Sequence, residues 1–376
     1  MQAGSKRILI LTEPGDLHAY AVAEALKAKG AEALLWHTPD FPTVGRESVL
    51  FGTGAMDVSV EGPDFHLPKV PFDSIWRRRP SHVLAEELHP ADREFANMEC
   101  GLFRKALFRL LSPGAFWVNP PEAAIRSGLK LFQHRLAQQA GLTAPVTLYS
   151  NDPEAIRLFI SEQGGKVVYK PFRGAAWSSD SGAWMTYTSL IGAKDLVEDE
   201  VLRFTPGIFQ AVVPKAYEVR LTMVGTRAFA AKIHSQETEL GKLDWRKAYH
   251  ELKMEPTELP GEVIRSCQKV LDEIGLVFGC FDFIVTPQGD YVFLEVNEMG
   301  QFLFVEEYSG LPLLDAFSEL LLQGKADYAF NAGRPRVRAL DIYDRAATLA
   351  RDLAQAHVQP PEAAFWEGER KTPVRS

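Results

Sequence analysis

The chain has 376 residues, of which 24% are charged and 46% hydrophobic, proportions of a soluble globular protein. Forty-one Lys and Arg against 49 Asp and Glu leave a net charge of −8. That balance argues against nonspecific nucleic-acid binding and confines any anion site to a local basic patch. The 28 Gly and 24 Pro are scattered, which excludes a collagen-like or disordered chain.

The length predicts two or three domains. Cys100, Cys267 and Cys280 are too few for a disulfide framework or a cysteine zinc cluster. The first apolar run is broken at Glu13, Pro14, Gly15 and Asp16, too early for a signal peptide. No stretch reaches the roughly 20 apolar residues of a membrane span. A soluble cytoplasmic protein with no membrane or nucleic-acid partner is expected.

In chain order, Arg7–Leu11 reads as a buried strand, Ala19–Lys29 as a helix stopped by Gly30, and Ala33–Trp36 as the next strand. This order predicts a small parallel α/β unit. Its loop, TEPGDLH, lacks the GxGxxG dinucleotide fingerprint. Phe72–Trp76 reads as another strand, followed by Arg77, Arg78, Arg79 and Pro80. Phe95, Met98, Leu102, Phe103, Ala106 and Leu110 recur at helical spacing and predict one buried face.

A boundary is placed near Asn119-Pro120-Pro121, with a helix at Leu129–Ala140 beyond it. A second helix opens at Ser150-Asn151-Asp152-Pro153, where a cap is followed by a first-turn proline. Lys166–Lys170 reads as a strand and RGAAWSSDSG as a small-residue loop flanked by Trp177 and Trp184. Phe209–Val213, Glu218–Val224 and Ala228–Ile233 read as strands, Gly225 turning the last pair. A helix at Val263–Ile274 precedes the strands CFDFIV and YVFLEVN, and further helices fall at Pro312–Leu322 and Arg338–His357. From Val358 onward the chain reads as a loosely held tail.

The sharpest constellation is Asp282, Glu295 and Asn297. Glu295 and Asn297 are two apart on a strand and share one face. A four-residue loop, Pro287–Asp290, pairs Thr286 with Tyr291 and sets Asp282 opposite Glu295. Two carboxylates and an amide carbonyl are hard oxygen ligands suited to Mg²⁺. Like charges directly opposite each other favour a cation between them. The alternative is a solvated acidic face on a surface hairpin.

FDFIVTPQGDYVFLEVNEMGQ resembles the C-terminal metal-binding hairpin of the ATP-grasp superfamily. Other parts of that layout follow in order. Lys130 and Lys170 match the two nucleotide lysines, and FQAVVPKAYEVRLTMVG resembles the inter-lobe hinge. Gln210, Ala211, Val212 and Val213 would be the adenine-reading hinge, Glu218 the ribose-side acid and Arg220 the phosphate-side arginine. The loop from Arg173 to Gly182 would cover the phosphates.

Over roughly residues 6–325 the chain also resembles microviridin-type graspetide synthetases, through its pre-ATP-grasp start, IWRRRP, AKIHSQ, DWR and GQFLFVEEYSGLP. Ala211 replaces an acidic hinge residue, and His234 stands where related ligases carry arginine. That leaves Arg220 and Arg246 as charge stabilisers, acting catalytically with Asn297.

The resemblance implies an α/β and α+β multidomain fold. Residues 1–120 would form a pre-ATP-grasp α/β domain. Residues 121–205 and 206–325 would form the two ATP-grasp lobes, and 326–376 a C-terminal helix and tail. It implies ATP and Mg²⁺ as cofactors, with Asp282, Glu295 and Asn297 holding metal. The substrate would be a ribosomal precursor peptide, leader plus acidic core, whose Asp or Glu side chains become ω-ester or ω-amide macrocycles.

A small-molecule ligase of the glutathione-synthetase kind and a noncatalytic nucleotide-binding partner are the competing readings. Arg77, Arg78, Arg79, Arg104, Lys105 and Arg109 could dock an acidic peptide, or Arg77–Arg79 could be salt-bridged at a strand end. His234 is a candidate base or a structural histidine. Members of this family are often homodimers, and nothing in the chain reveals an interface.

Overall fold

The computed structural model describes residues 5–172, 176–179, 182–185, 188–239, 241–243, 245, 251, 253–333 and 335–360, with 176–179 and 182–185 described by their backbone pairing. A parallel sheet opens the chain. It contains β1 (Arg7–Thr12), β2 (Glu32–His37), β5 (Ser74–Arg77) and β6 (Phe116–Val118) in the order β2-β1-β5-β6. Helix α1 (Leu17–Ala28) crosses between β1 and β2, capped by the Asp16 side chain, which accepts from the His18 N–H at 3.1 Å. The hairpin of β3 (Arg46–Phe51) and β4 (Met56–Glu61) was not anticipated from sequence. Adjacent Leu50 and Phe51, on opposite faces of β3, are both exposed, so it shows no clean apolar alternation.

Helix α2 (Arg93–Leu110) corrects one expectation. Leu107 and Phe108 are buried together with Arg104, whereas Phe95, Met98 and Leu102 are exposed. Arg104 turns the helix, because its guanidinium is spent inside the protein. It pairs with Glu47 at 2.7 Å, donates to the Thr38 carbonyl and lies over the Trp36, Phe41 and Phe108 rings. A periodicity count treats such a residue as solvent-facing.

Helices α3 (Pro121–Ser127) and α4 (Lys130–Gln139) lead to a second sheet. Its strands are β7 (Thr147–Ser150), β8 (Lys166–Lys170), β11 (Ser189–Gly192) and β12 (Gly207–Ala211), all antiparallel in the order β11-β8-β12-β7. Helix α5 (Pro153–Glu162) starts as expected, Asp152 accepting from the Glu154 N–H at 3.0 Å, and packs Ile156, Phe159 and Ile160 on that sheet. The segment read as a loop contains a hairpin instead, β9 (Ala176–Ser179) with β10 (Gly182–Met185). Short runs of Ser, Ala and Trp carry too little apolar pattern to show it. Helix α6 (Asp199–Leu202) is a single turn before β12.

The third sheet holds β13 (Tyr217–Val224), β14 (Arg227–Ile233), β15 (Met254–Thr257), β16 (Phe278–Val285) and β17 (Tyr291–Asn297) in the order β15-β14-β13-β16-β17. Gly225 turns β13 into β14 with φ +56°, and an added Cβ would lie 2.0 Å from the Ala326 carbonyl oxygen. Only glycine fits there. One face of the sheet packs Leu221, Phe281, Phe283 and Phe293 against α7 (Gly261–Ile274) and α4. The other packs Phe278 and Cys280 against α8 (Leu303–Ser309), α9 (Leu313–Gln323), α10 (Ala339–Ala354) and α1, so both terminal regions share one core. Glu306 ties these helices, its two carboxylate oxygens accepting from the Leu314 and Ala339 N–H groups at 2.7 and 2.8 Å. The expected tail begins anchored, since Val358 donates its N–H to Asp40 at 3.0 Å. Among the described residues, no helix is long and apolar enough to cross a membrane.

Candidate active site

The hairpin β16–β17 sets Asp282 opposite Glu295 as expected, but by a different route. Val285 pairs with Tyr291, not Thr286 with Tyr291, and the register shifts between Asp282 and Phe283. The partners Phe283–Phe293 and Asp282–Glu295 leave Leu294 as an extra residue on β17. This bulge inverts the alternation along the strand. Phe293 and Val296, three apart, both enter the apolar core, and Glu295 and Asn297 leave it. Without it, Glu295 and Asn297 would share a face with Phe293.

Around the hairpin the polar groups form one connected cluster. Arg220 stands beside Asp282 across β13–β16 and binds both carboxylate oxygens, at 2.7 and 2.9 Å. Asn297 Nδ2 donates to Asp282 at 3.2 Å and to Glu295 at 3.4 Å. Lys130 Nζ pairs with Glu295 Oε2 at 2.5 Å. Arg220 is buried, which would lower its pKa, but Asp282 outweighs this and holds it above the usual value. The cluster therefore carries two acids, two bases and an amide.

Lys170 closes β8 opposite Ile208, and Gln210 is buried in β12 with its amide donating to the Thr147 hydroxyl at 3.2 Å. The strand expected to reach Val213 ends at Ala211, and residues 212–216 leave the pairing to connect the two antiparallel sheets. Val212 is exposed there. Glu218 lies two residues before Arg220, buried and paired with Lys215 at 2.6 Å. Burial pushes its pKa up, against the opposing Lys215 charge. Arg246 and Asp244 lie outside the described residues, as do the side chains of Trp177 and Trp184.

The arginine run is salt-bridged at its strand end, the second of its two readings. Arg78 is buried, pairs with Asp16 at 2.8 Å and donates to the Met299 carbonyl. Arg77 pairs with Glu298 at 3.4 Å and Arg79 with Glu13 at 2.9 Å. These contacts tie the N-terminal sheet to the segment just after Asn297. Arg104 is likewise internal, Arg109 pairs with Glu122, and Lys105 is exposed. Burial pushes the Glu298 pKa up to about 7, although Arg77 opposes it. His234 sits between Glu237 and Glu255, at 3.2 and 3.1 Å, on the wall of a cavity of about 570 Å³. That fits a held histidine.

Three supporting residues escaped sequence reasoning. Gln133 bridges α4 to the backbone of Val296, between Glu295 and Asn297. Asn119, at the expected boundary, is buried. It donates to the Phe278 and Glu298 carbonyls at 2.9 and 3.0 Å, and its Oδ1 accepts from the Val277 and Phe278 N–H groups. His18 Nε2 accepts from the Phe302 and Leu303 N–H groups at 3.0 and 3.2 Å. For Gln133 a signal existed, since it shares a helical face with Leu136 and Ala137, where an amide needs a partner.

Two antiparallel sheets joined by a short connection, with a carboxylate-bearing hairpin on one and a strand-end lysine on the other, define an ATP-grasp ligase. No protein-family model and no curated protein matches the sequence. Solved structures do. A RiPP-associated ATP-grasp ligase of Chryseobacterium gregarium, in complex with ADP and a leader and core peptide, is 28% identical. The alignment covers 87% of this chain and 100% of that one, at a TM-score of 0.75. The macrocyclase MdnC from Microcystis aeruginosa MRC, bound with precursor peptide MdnA, is 30% identical over 85% of this chain and 99% of its own, also at 0.75. The ATP-grasp ligase PsnB, complexed with a phosphomimetic variant of its minimal precursor, Mg and ADP, is 25% identical over 85% and 99%, at 0.65. The chain belongs to the RiPP-associated ATP-grasp ligases, the graspetide synthetases.

Proposed function

We propose that this enzyme activates Asp or Glu side chains of a ribosomal precursor peptide as acyl phosphates and closes ω-ester or ω-amide macrocycles. The observation that carries this reading is the joining of Lys130, Arg220, Asp282, Glu295 and Asn297 in one cluster. The fold around it is one shared with peptide macrocyclases.

The donor set fits a hard cation. Asp282 and Glu295 offer carboxylates, and rotation of the Asn297 amide would offer its oxygen. Lys130 and Arg220 occupy the place of positive charge between them. Mg²⁺, when bound, neutralises phosphate and oxyanion charge. The side chains of Lys130 and Lys170 would hold phosphates of ATP, and Arg220 and Arg246 would stabilise charge at the transferring group. The backbone of residues 210–213 would read the adenine, with Glu218 at the ribose.

A peptide carboxylate oxygen attacks the γ-phosphorus and ADP leaves. A Ser or Thr hydroxyl, or a Lys amine, attacks the acyl carbon and loses its proton to solvent. Phosphate departs with one former carboxylate oxygen. In this reading residues 1–120 are the pre-ATP-grasp domain, 121–205 and 206–325 the two lobes, and 326–376 a C-terminal addition. The enzyme works in the cytoplasm, where ATP and newly made peptides are available.

Intact-mass measurement tests this. The purified chain, Mg-ATP and the acidic peptide encoded beside its gene should give loss of one water per ring. An unmodified peptide, with ADP formed from free amino acids instead, would make it a small-molecule ligase. ATP binding without ADP formation on any substrate would make it a noncatalytic partner.

A further inference from the structure

Two imidazoles and a carboxylate meet on elements that supply nothing to the hairpin cluster. His37 ends β2, Asp64 lies beyond β4, and His357 follows α10. The two rings lie 3.8 Å apart. His357 Nδ1 bonds to Asp40 Oδ2 at 2.8 Å, which leaves Nε2 facing Asp64 Oδ2 at 3.3 Å. His37 Nε2 bonds to the Tyr20 hydroxyl at 2.8 Å, which leaves Nδ1 facing Asp64 Oδ1 at 3.9 Å.

Both inward nitrogens are buried without a hydrogen-bond partner, on side chains only 1% and 0% exposed. Buried polar atoms without an aligned hydrogen bond are costly, and here two converge on one carboxylate. The three ligand atoms lie within 4.8 Å of one another.

We propose that His37 Nδ1, Asp64 and His357 Nε2 form a site for a divalent transition-metal ion, Zn²⁺ foremost, which fastens the segment after α10 to the N-terminal sheet. Zinc bonds of about 2.0–2.1 Å in a tetrahedron set ligand atoms about 3.3 Å apart. His357 Nε2 already stands 3.3 Å from Asp64 Oδ2 and His37 Nδ1 3.9 Å from Asp64 Oδ1, with all three ligand atoms inside 4.8 Å, so small side-chain shifts, Asp64 being 40% exposed, would close the set. The outer partners follow the pattern of zinc sites, with Asp40 behind one imidazole and the Tyr20 hydroxyl behind the other. Asp40 and Asp64 together balance a double positive charge, and water would take the fourth position.

The two rings differ in protonation. Burial, helped by the nearby His357, pushes the His37 pKa down to about 4, the neutral form a metal requires. His357 is held up by Asp40 and Asp64 against its own burial, so metal uptake displaces its proton.

The test titrates chelator-treated full-length protein with Zn²⁺ in excess Mg²⁺, which occupies hard oxygen sites. Affinity is read by competition with a chromophoric chelator. One Zn²⁺ per chain and a raised melting temperature are expected. Asp64→Asn and His357→Gln should each weaken binding more than about tenfold, and Asp40→Asn by about 10–100-fold. No zinc uptake at micromolar metal would overturn the proposal, and this result does not depend on any variant folding. Unchanged affinity in folded Asp64→Asn and His357→Gln would also overturn it, by placing the ion elsewhere.

Discussion

Gln133 and Val296 exchange two hydrogen bonds: the Gln133 amide donates to the Val296 carbonyl at 2.9 Å, and its oxygen accepts from the Val296 N–H at 3.0 Å. The same helix carries Lys130 on Glu295 one turn earlier. Helix α4 therefore fixes β17 at the two residues that follow the bulge.

Gln133→Leu would strand both Val296 backbone groups in a buried place. Each orphan costs about 1–3 kcal/mol, so denaturant melts should show a loss of about 2–6 kcal/mol, together with slower ATP turnover. Unchanged stability and turnover would show that the bulge holds itself.

Asp282 neutralises the buried Arg220 as well as facing the proposed metal position. Breaking such a pair costs about 3–5 kcal/mol. Asp282→Ala should lose stability and activity together. Asn297→Ala, which leaves that ion pair intact, should lose turnover with little change in melting temperature. Equal destabilisation by the two variants would contradict this separation.

Arg78 behaves in the same way. Arg78→Glu places two acids together in a buried site beside Asp16, and should unfold the N-terminal sheet rather than weaken peptide docking selectively. A stably folded Arg78→Glu chain with impaired peptide binding alone would restore the docking role.

Gly300 touches the site from the other side. An added Cβ would lie 2.4 Å from Cys280 Cβ and 3.0 Å from the Arg220 guanidinium. Gly300→Ala should cost about 1–3 kcal/mol through overpacking and reduce turnover by shifting Arg220. A fully active variant with unaltered melting would show that the segment slides freely.

His18 gives the fold a pH dependence. Burial, with the Arg78 charge, lowers its pKa well below 6.5, so it stays neutral and accepts from Phe302 and Leu303. The unfolded chain protonates near 6.5. Stability is therefore complete above that value and falls below it, by up to about 1.4 kcal/mol per pH unit for one proton. His37, also depressed, adds the same sign, and its neighbour His357, held up by Asp40 and Asp64, the opposite one. Denaturant titrations from about pH 7 to about pH 5 should show a shallower slope for His18→Gln. Equal slopes would assign the dependence elsewhere.

Where a residue's chemistry and its strand period agreed, sequence was enough. Asp282, Glu295 and Asn297 fall together because hairpin pairing is local. The bulge at Leu294 was hidden, since Phe293 and Val296 looked like ordinary apolar residues. Arg77–Arg79 follow their salt-bridged reading, whereas Arg104 misled for a different reason: its burial depends on Glu47, distant in the chain. The same holds for Asn119, whose partners lie at residues 277, 278 and 298.

Oxygen-isotope transfer tests the central claim most directly. A precursor peptide carrying ¹⁸O in its Asp and Glu carboxyls should, on ring closure with Mg-ATP, pass one labelled oxygen to the phosphate released for each bond formed. Ring formation with unlabelled phosphate would contradict activation of the carboxylate as an acyl phosphate.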